Sequence, residues 1–597
     1  MNTAQNLHAL RQAMIMWEID AYIIPSSDPH QSEYVADHWK VREWLSGFDG
    51  SAGTLVVTQD WAGLWTDSRY FLQAEQQLAG SGIALMKKEV GKGLEYDEYL
   101  AEKLTAGSIV GLDGRLFSVF QLQLMEETLS LAEIEIAINS FLIESIWLKR
   151  PLLSDAPIVV HDLKYAGQSR VEKLSEIRAK MREMDADVYL VAALDEIAWL
   201  FNLRGSDTAF NPVFYAYASI TKFETYLFVD AKKLSNVLQN QLAMDQIQIK
   251  AYGDFQNFIA KVAEEKVVLY DDKTLSAIHY IAIKSDFQIE LNLIKRLKAT
   301  KNEVQLAHLR KTMEKDGFAL LKTFRWLEQE LSKRTVSEYE LGVQIAHFRS
   351  QQSHYREESF HPIVGYEANG AIVHYRATEK VAAAIQNKGI LLVDSGGQYL
   401  DGTTDITRTV ALGTPSDAQK HHFTLVLKGH IALARICFPA GTSGHQLDVL
   451  ARQALWKQHL DYGHGTGHGV GFFLNVHESP PGISPSASSS GERSEFLSGM
   501  IVSNEPGYYE TGEYGIRIEN LILCVKDQES EQYGTFLKFE TLSLFPIDQQ
   551  LIDFDLLDQE EINWLNNYHQ EVYVRLLPYL NTREQEWLKN KCRIYQT

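Results

Sequence analysis

The chain has 597 residues, 45% apolar and 23% charged, a composition that fits a folded globular protein and is too long for a single core, so roughly two to four domains are expected. Asp and Glu (78) outnumber Lys and Arg (57), giving a net charge of −21 with no basic run long enough to follow a phosphate backbone, and this argues against a nucleic-acid partner. Cys437, Cys524 and Cys592 lie far apart and form no C-x-x-C arrangement, so neither a disulfide framework nor a thiolate metal site is indicated; with no apolar run resembling a membrane span or a secretory leader, the chain is expected to be cytoplasmic with no membrane partner.

Comparing the chain with itself reveals two stretches that run in the same order. The first holds "DAYIIPSSDPH", "EWLSGFDGSAGTLVVT" and "LWTDSRYF"; the second holds "DADVYLVAALDEIAWLFNLRGSD", "YAYASIT" and "TYLFVDAKKL". Asp20-Ala21 aligns with Asp185-Ala186, and Trp44-Leu45 with Trp199-Leu200. In each copy a β-rich run follows an amphipathic helix such as "RVEKLSEIRAKMREM", and a Trp-Leu helical segment and further strands come after it. Two related α/β modules of about 150 residues are expected, with breaks near Pro151 and Lys298. Two unrelated βα units that happen to coincide are the alternative.

From "NEVQLAHLRKTMEKDGFALLKTFRWLEQEL" onward, a long amphipathic helix opens a third unit of roughly 300 residues, and the dense polar motifs lie in it. In "ILLVDSGGQYLDGTTDITRTV", residues 390–393 form an apolar strand ending on Asp394, and residues 403–410 alternate Asp405, Thr407 and Thr409 against Ile406, Arg408 and Val410. A loop over residues 398–401, between Gly397 and Gly402, places Asp394 directly opposite Asp405 with Cβ atoms about 5 Å apart. A tight turn on Asp401-Gly402 would instead slip the register. Two carboxylates so close call for a counter-ion, and a metal is the usual remedy; taken alone, Asp405 reads equally as a solvated residue near a turn. An EF-hand loop is excluded because Gly396 and Gln398 stand where its oxygen ligands belong.

A second acid pair follows. In "MIVSNEPGYYETGEYGIRIENLIL", residues 501–505 form a strand stopped by Pro506-Gly507, and the returning strand 516–523 turns Arg517 and Glu519 to one side. An acid inside an apolar run needs a partner if buried, and for this hairpin alone Arg517 as an ion-pair partner is an equal reading. Between the two pairs lies "HGTGHGVGFFLNVHE". It fails G-x-G-x-x-G, because His468, Val470 and Phe472 take the third-glycine positions, and H-E-x-x-H, because Pro481 replaces the second histidine. What remains is a histidine-bearing strand and loop able to complete an oxygen-rich site. Four carboxylates and one imidazole make a hard ligand set suited to a pair of divalent ions, Mn first, with Co, Zn or Fe by substitution. The Ser-rich residues 483–496 read as a solvent loop without chemistry.

Asp394, Asp405, His468, Glu505 and Glu519, in that order, resemble the five ligands of the pita-bread metallopeptidases. "NGAIVHY", "VDSGGQYLDGTTDITRT", "HGTGHGVGFFLNVHE" and "NEPGYYETGEYGIRIEN" resemble the motifs of three-domain Xaa-Pro aminopeptidases of the cytosolic type, as do "SGFDGSAGT", "WTDSRYFLQAE" and "LDEIAWLFNLRGSD" in the N-terminal modules. The resemblance spans nearly the whole chain. It implies an α/β (α+β) protein of two creatinase-N-like domains, residues 1–152 and 153–299, followed by a pita-bread catalytic domain, residues 300–597. It implies that Asp394 chelates one metal and that His468 and Glu505 bind the other, with Asp405 and Glu519 bridging, so that hydroxide held between two Mn ions (Co or Zn as substitutes) attacks the X-Pro carbonyl. Glu505 is then the proton shuttle, and His374 and His477 are the proton-relay and intermediate-stabilising histidines. His464 lines the proline pocket, Arg69 lies near the substrate, and Arg517 braces the ligand carboxylates. His464, His477 and Arg69 also admit plain structural roles, Arg69 as a surface ion pair. Substrates are peptides with proline second, and the assembly is a homodimer whose N-terminal modules restrict entry to short peptides. Three other readings are a prolidase restricted to X-Pro dipeptides, a methionine aminopeptidase, which needs neither N-terminal module, and a non-catalytic peptide- or protein-binding module on the same fold.

Overall fold

A computed structural model describes residues 2–88, 93–486 and 495–595; most of the Ser-rich stretch, residues 487–494, lies outside the described residues. The chain divides into two compact units. One comprises Met1–Leu163 and Gln168–Ile294; the other comprises Lys164–Gly167 and Lys295–Thr597.

The first unit holds both expected α/β modules. A helix opens each, Thr3–Met16 capped by the Asn2 side chain and Arg170–Glu183 capped by Ser169, with Gln5 and Glu172 closing the capping boxes. Each feeds a fully buried central strand, Ala21–Ile24 or Val188–Val191, and burial on both faces accounts for their unbroken apolar character. The two six-stranded sheets share one plan. Ala21–Ile24 pairs antiparallel with Thr54–Thr58 and parallel with Ile109–Leu112; Val188–Val191 pairs antiparallel with Ala216–Thr221 and parallel with Val268–Tyr270. The register corrects the sequence alignment by two residues. Asp20 accepts from the Ile109 N–H, and Asp187, in place of Asp185, accepts from the Val267 N–H, so Asp20 is the counterpart of Asp187. His30 ties the modules together, its Nδ1 2.7 Å from the Ala192 carbonyl and its Nε2 2.8 Å from the Tyr252 hydroxyl.

In the second unit the helix Glu303–Leu331 is capped by Asn302 and buries Leu306, Leu309, Met313, Leu320, Phe324 and Leu327, an apolar stripe at three- and four-residue spacing. It is followed by the helix Glu338–Ser350. Ile390–Ser395 is the middle strand of a three-stranded antiparallel sheet, between Ile363–Tyr366 and Ile406–Ala411. A six-stranded sheet runs in the order Cys437–Pro439, Gly534–Thr541, Asn520–Ser530, Ile501–Asn504, Gly467–Gly469, Glu478–Ile483. Helices Asp417–Arg435 and Gly444–Trp456 pack closely, with Gly429 against the Ala451 backbone. Among the described residues no helix is long and apolar enough to cross a membrane.

Candidate metal centre

The first acid hairpin has a shorter turn than the sequence implies. Gln398 faces Thr403 and Tyr399 faces Gly402, so the turn is Leu400-Asp401, and the same register carried along the hairpin sets Asp394 opposite Thr407. Asp405 is therefore the diagonal neighbour of Asp394, two residues from the expected position. A shift of two leaves a side chain on the same face of a sheet, and both carboxylates remain on one side. The cause lies in the helix Glu303–Leu331: Lys315 Nζ holds both oxygens of Asp401, at 2.7 and 2.8 Å, and the Thr312 hydroxyl donates to the Asp401 carbonyl at 2.9 Å. That clamp fixes the turn at Asp401.

The second hairpin places Asn504 opposite Asn520 and Gly507 opposite Arg517. Glu505 and Glu519 fall between these pairs, and the single strand expected over residues 516–523 is broken there into Tyr514–Arg517 and Asn520–Ser530. The freed backbone groups turn elsewhere: Glu519 N–H donates to the Thr407 carbonyl at 3.1 Å, and Glu505 N–H to the Thr466 carbonyl at 2.8 Å. These bonds stitch the second hairpin to the first and to the histidine segment. The buried Arg408 guanidinium adds another stitch, donating to the Glu519 carbonyl at 2.6 Å, the Phe545 carbonyl at 2.6 Å and the Tyr568 hydroxyl at 2.7 Å.

His468 sits on the strand Gly467–Gly469. Its Nε2 lies 3.5 Å from Asp405 Oδ2 and 3.4 Å from Glu505 Oε1, while Nδ1 is 2.9 Å from the Gly469 carbonyl. In the neutral ring, a nitrogen that donates to a carbonyl leaves the other with its lone pair, here the one aimed at the acids. Asp405, His468 and Glu519 each offer a ligand atom, all within 4.8 Å of one another. Asp394 Oδ2 accepts from Arg517 Nη2 at 2.6 Å, and its other oxygen, Oδ1, is buried with no hydrogen-bond partner among the described residues.

The electrostatics call for positive charge. Burial, then the neighbouring carboxylates, push Glu519 well above the ordinary carboxylate range. Burial raises Asp394 and Glu505 too, against the lowering pull of Arg517 on both and of His468 on Glu505. Burial alone would lower His468, but Asp405 and Glu505 outweigh it and push the imidazole up to about 9. Four carboxylates converge with one guanidinium between them, and one buried oxygen is orphaned. This donor set, hard and rich in oxygen, fits divalent cations.

The comparisons with known proteins agree. Residues 307–526 match metallopeptidase family M24, and residues 535–595 match the C-terminal region of peptidase M24. Residues 7–141 and 149–305 each match the creatinase/prolidase N-terminal domain. A probable Xaa-Pro aminopeptidase P of Laccaria bicolor is 39% identical over 99% of this chain and 93% of its own length. Aminopeptidase P2 of Arabidopsis thaliana is 40% identical over 96% and 86%. The crystal structure of an X-prolyl aminopeptidase from Caenorhabditis elegans, described as a cytosolic enzyme with a di-nuclear active site, superposes with a TM-score of 0.95 at 35% identity and full coverage of both chains.

The chain belongs to metallopeptidase family M24.

It has the creatinase N-terminal domains and the C-terminal pita-bread domain that the family implies. Around these five candidate ligands, the structure brings together most of the other residues singled out in the sequence. His477 packs edge-on against the His468 ring, centroids 4.3 Å apart. His464 Nε2 lies 2.8 Å from the Tyr509 hydroxyl, which accepts from Arg517 Nη1 at 2.7 Å, so Arg517 joins His464 to Asp394 through Tyr509. His374 follows Val373, whose carbonyl accepts from Arg517 Nη2 at 3.5 Å. Arg69 belongs to the other unit, where Nε and Nη2 hold both oxygens of Asp67 at 2.8 and 2.7 Å.

Several participants escaped the sequence reading. Thr407 Oγ1 donates to Glu519 Oε2 at 2.8 Å, and the Ser503 hydroxyl donates to Glu505 Oε1 at 3.0 Å; both sit on the ligand strands, and a two-residue step from a ligand would have flagged them. Glu478, next to His477, is buried between Lys298, at 2.7 Å, and Lys301. No local signal links position 478 to 298.

Proposed function

We propose that the chain is a metal-dependent aminopeptidase that removes the first residue from peptides with proline second, and that Asp394, Asp405, His468, Glu505 and Glu519 hold two divalent cations, Mn in the first instance. The observation that carries the reading is the convergence of Asp405, His468 and Glu519 within 4.8 Å in a buried cluster of like charges. Bound there, the cations supply a water nucleophile at neutral pH and draw charge from the scissile carbonyl.

The protein's own groups do the rest. Ser503 fixes Glu505 Oε1 beside His468. A carboxylate held in place takes a proton from the nucleophile and returns it, which suits Glu505 to deliver one to the departing proline nitrogen. That nitrogen belongs to a tertiary amide with no N–H, so a pocket built to bond an amide N–H rejects it. His464, oriented by Tyr509, lines the pocket for the proline ring. His374 and His477 serve as proton-relay and intermediate-stabilising groups, and Arg517 holds Asp394. Arg69 is assigned to substrate binding from the N-terminal module, and its ion pair with Asp67 orders the guanidinium. The description of the worm relative as cytosolic supports a cytoplasmic location; the assembly is a homodimer, for which light scattering should give twice the chain mass.

The test is release of the N-terminal residue from Gly-Pro- or Arg-Pro-headed tripeptides by Mn-loaded protein. No release sinks the catalytic reading, and cleavage of X-Pro dipeptides alone makes the protein a prolidase. Glu505→Ala should abolish turnover and one equivalent of bound metal by elemental analysis; retained activity would show the ligand assignment to be wrong. Metal content of the protein as isolated decides between Mn, Co and Zn.

A further inference from the structure

The "NGAIVHY" segment is organised by a residue more than thirty positions upstream in sequence. Glu338, in the first turn of the helix Glu338–Ser350, is fully buried, yet the groups that bond its carboxylate are uncharged. The backbone N–H of Tyr366 donates to Oε1 at 2.8 Å and that of Ala383 to Oε2 at 2.7 Å. Asn369 Nδ2 donates to both oxygens, at 3.0 and 3.1 Å, and the Tyr375 hydroxyl donates to Oε2 at 2.8 Å. Residues 366–383 are thus fastened at both ends and at two interior points to one carboxylate. A buried charge is tolerable when donors satisfy its lone pairs, and a helix N-terminus favours a negative group. Burial, then the charge of Glu338, raises the Tyr375 phenol, so it stays protonated and donates.

The opposite side of the segment is fixed as well. Gly370 lies against Gly515, and a methyl group on Gly515 would overlap the Gly370 carbonyl. Arg517, already bonded to Asp394, also reaches the Val373 carbonyl. His374 therefore stands between a residue held by the metal-side guanidinium and a residue held by Glu338. Neither Asn369 nor Tyr375 has an assigned part in the chemistry, and both converge on this acid.

We propose that Glu338 is the positioning residue for His374: it holds the segment so that His374 keeps a fixed place next to Val373, whose carbonyl Arg517 reaches. The proposal rests on the proton-relay role given to His374. The experiment is a double-mutant cycle of Tyr375→Phe with His374→Ala in the metal-loaded protein, reading kcat, KM and metal content on an X-Pro tripeptide, together with native-state trypsin cleavage after the exposed Arg376 and Lys380. Loss of a hydrogen bond to a charged group should lower kcat about tenfold, with KM and metal content unchanged. Tyr375→Phe should cost nothing further in the His374→Ala background, and cleavage at Arg376 and Lys380 should accelerate several-fold. An equal loss in both backgrounds, a loss of metal, or unchanged cleavage overturns the proposal. If His374→Ala alone keeps full turnover, the relay reading falls, and the tryptic rate decides the anchoring: acceleration upholds the hold of Glu338 on the segment, and no change overturns it. Asn369→Leu removes a different bond to the same carboxylate and should repeat the result should Tyr375→Phe fold poorly.

Discussion

At the level of single residues, the candidate ligands stand out because their chemistry is out of place. Acids at the ends of apolar strands need a reason, and Asp394, Asp405, Glu505 and Glu519 share one. Glu478 shows the opposite case. Its neighbours Lys298 and Lys301 come from a remote segment, and no periodicity or spacing joins them. The sequence reading accordingly took the residue only as part of a failed zinc motif. Its burial with two lysines, one residue from His477, makes it a structural brace whose removal is costly. Glu478→Gln keeps the shape but strips the negative charge facing two ammonium groups, and a buried pair broken on one side costs about 3–5 kcal/mol. Chemical denaturation of the variant should read a loss of that order; a change below about 0.5 kcal/mol, the range of ordinary surface substitutions, would refute the brace.

At the level of elements, both hairpins were legible and their registers were not. Alternation and the Gly and Pro punctuation marked the strands, but turn length depends on what grips the turn. Lys315 and Thr312 grip Asp401, a contact across the fold that no local rule contains. The break at Glu519 has the same origin, because its N–H is drawn to Thr407 on the other hairpin. The glycines of "HGTGHG" also gain a definite role. Gly467 passes so close to the Ser503 carbonyl that a methyl group would overlap it, and this contact seats the His468 strand on the strand leading to Glu505. Gly467→Ala should push the two strands apart, weakening metal affinity at least tenfold in a calorimetric titration while far-UV circular dichroism stays unchanged. A small misplacement of a ligand is expensive because the other ligands cannot follow it.

At the level of the whole molecule, the duplication in the N-terminal half was legible from residue order alone. Its exact alignment was not, since Asp185 and Asp187 are equally plausible until the strand register is known. Buried histidines set an acid limit on the folded state. Burial, aided by Arg408 beside His430 and His569 and by His30 beside His279, holds His279, His430 and His569 down to about 3. A histidine whose folded value is depressed takes up its proton more readily when unfolded, so its contribution is intact above the unfolded value of about 6.5 and is lost as pH falls below it. Thermal unfolding of the metal-loaded protein should therefore shift to lower temperature between pH 7 and pH 4.5. His279→Asn should flatten that slope in the first unit, and an identical slope would count against the assignment.

The stitching of the two hairpins has a consequence for biosynthesis. Asp394 leaves the ribosome more than a hundred residues before Glu519, and Arg408, which holds the Glu519 carbonyl, completes its set of partners with the still later Phe545, Pro546 and Tyr568. A nascent chain thus carries an incomplete ligand set through most of its translation. On the proposed ligand assignment, metal capture waits for the finished polypeptide, and a chain truncated before Tyr568 should be made with its acids in place and its centre still unable to close.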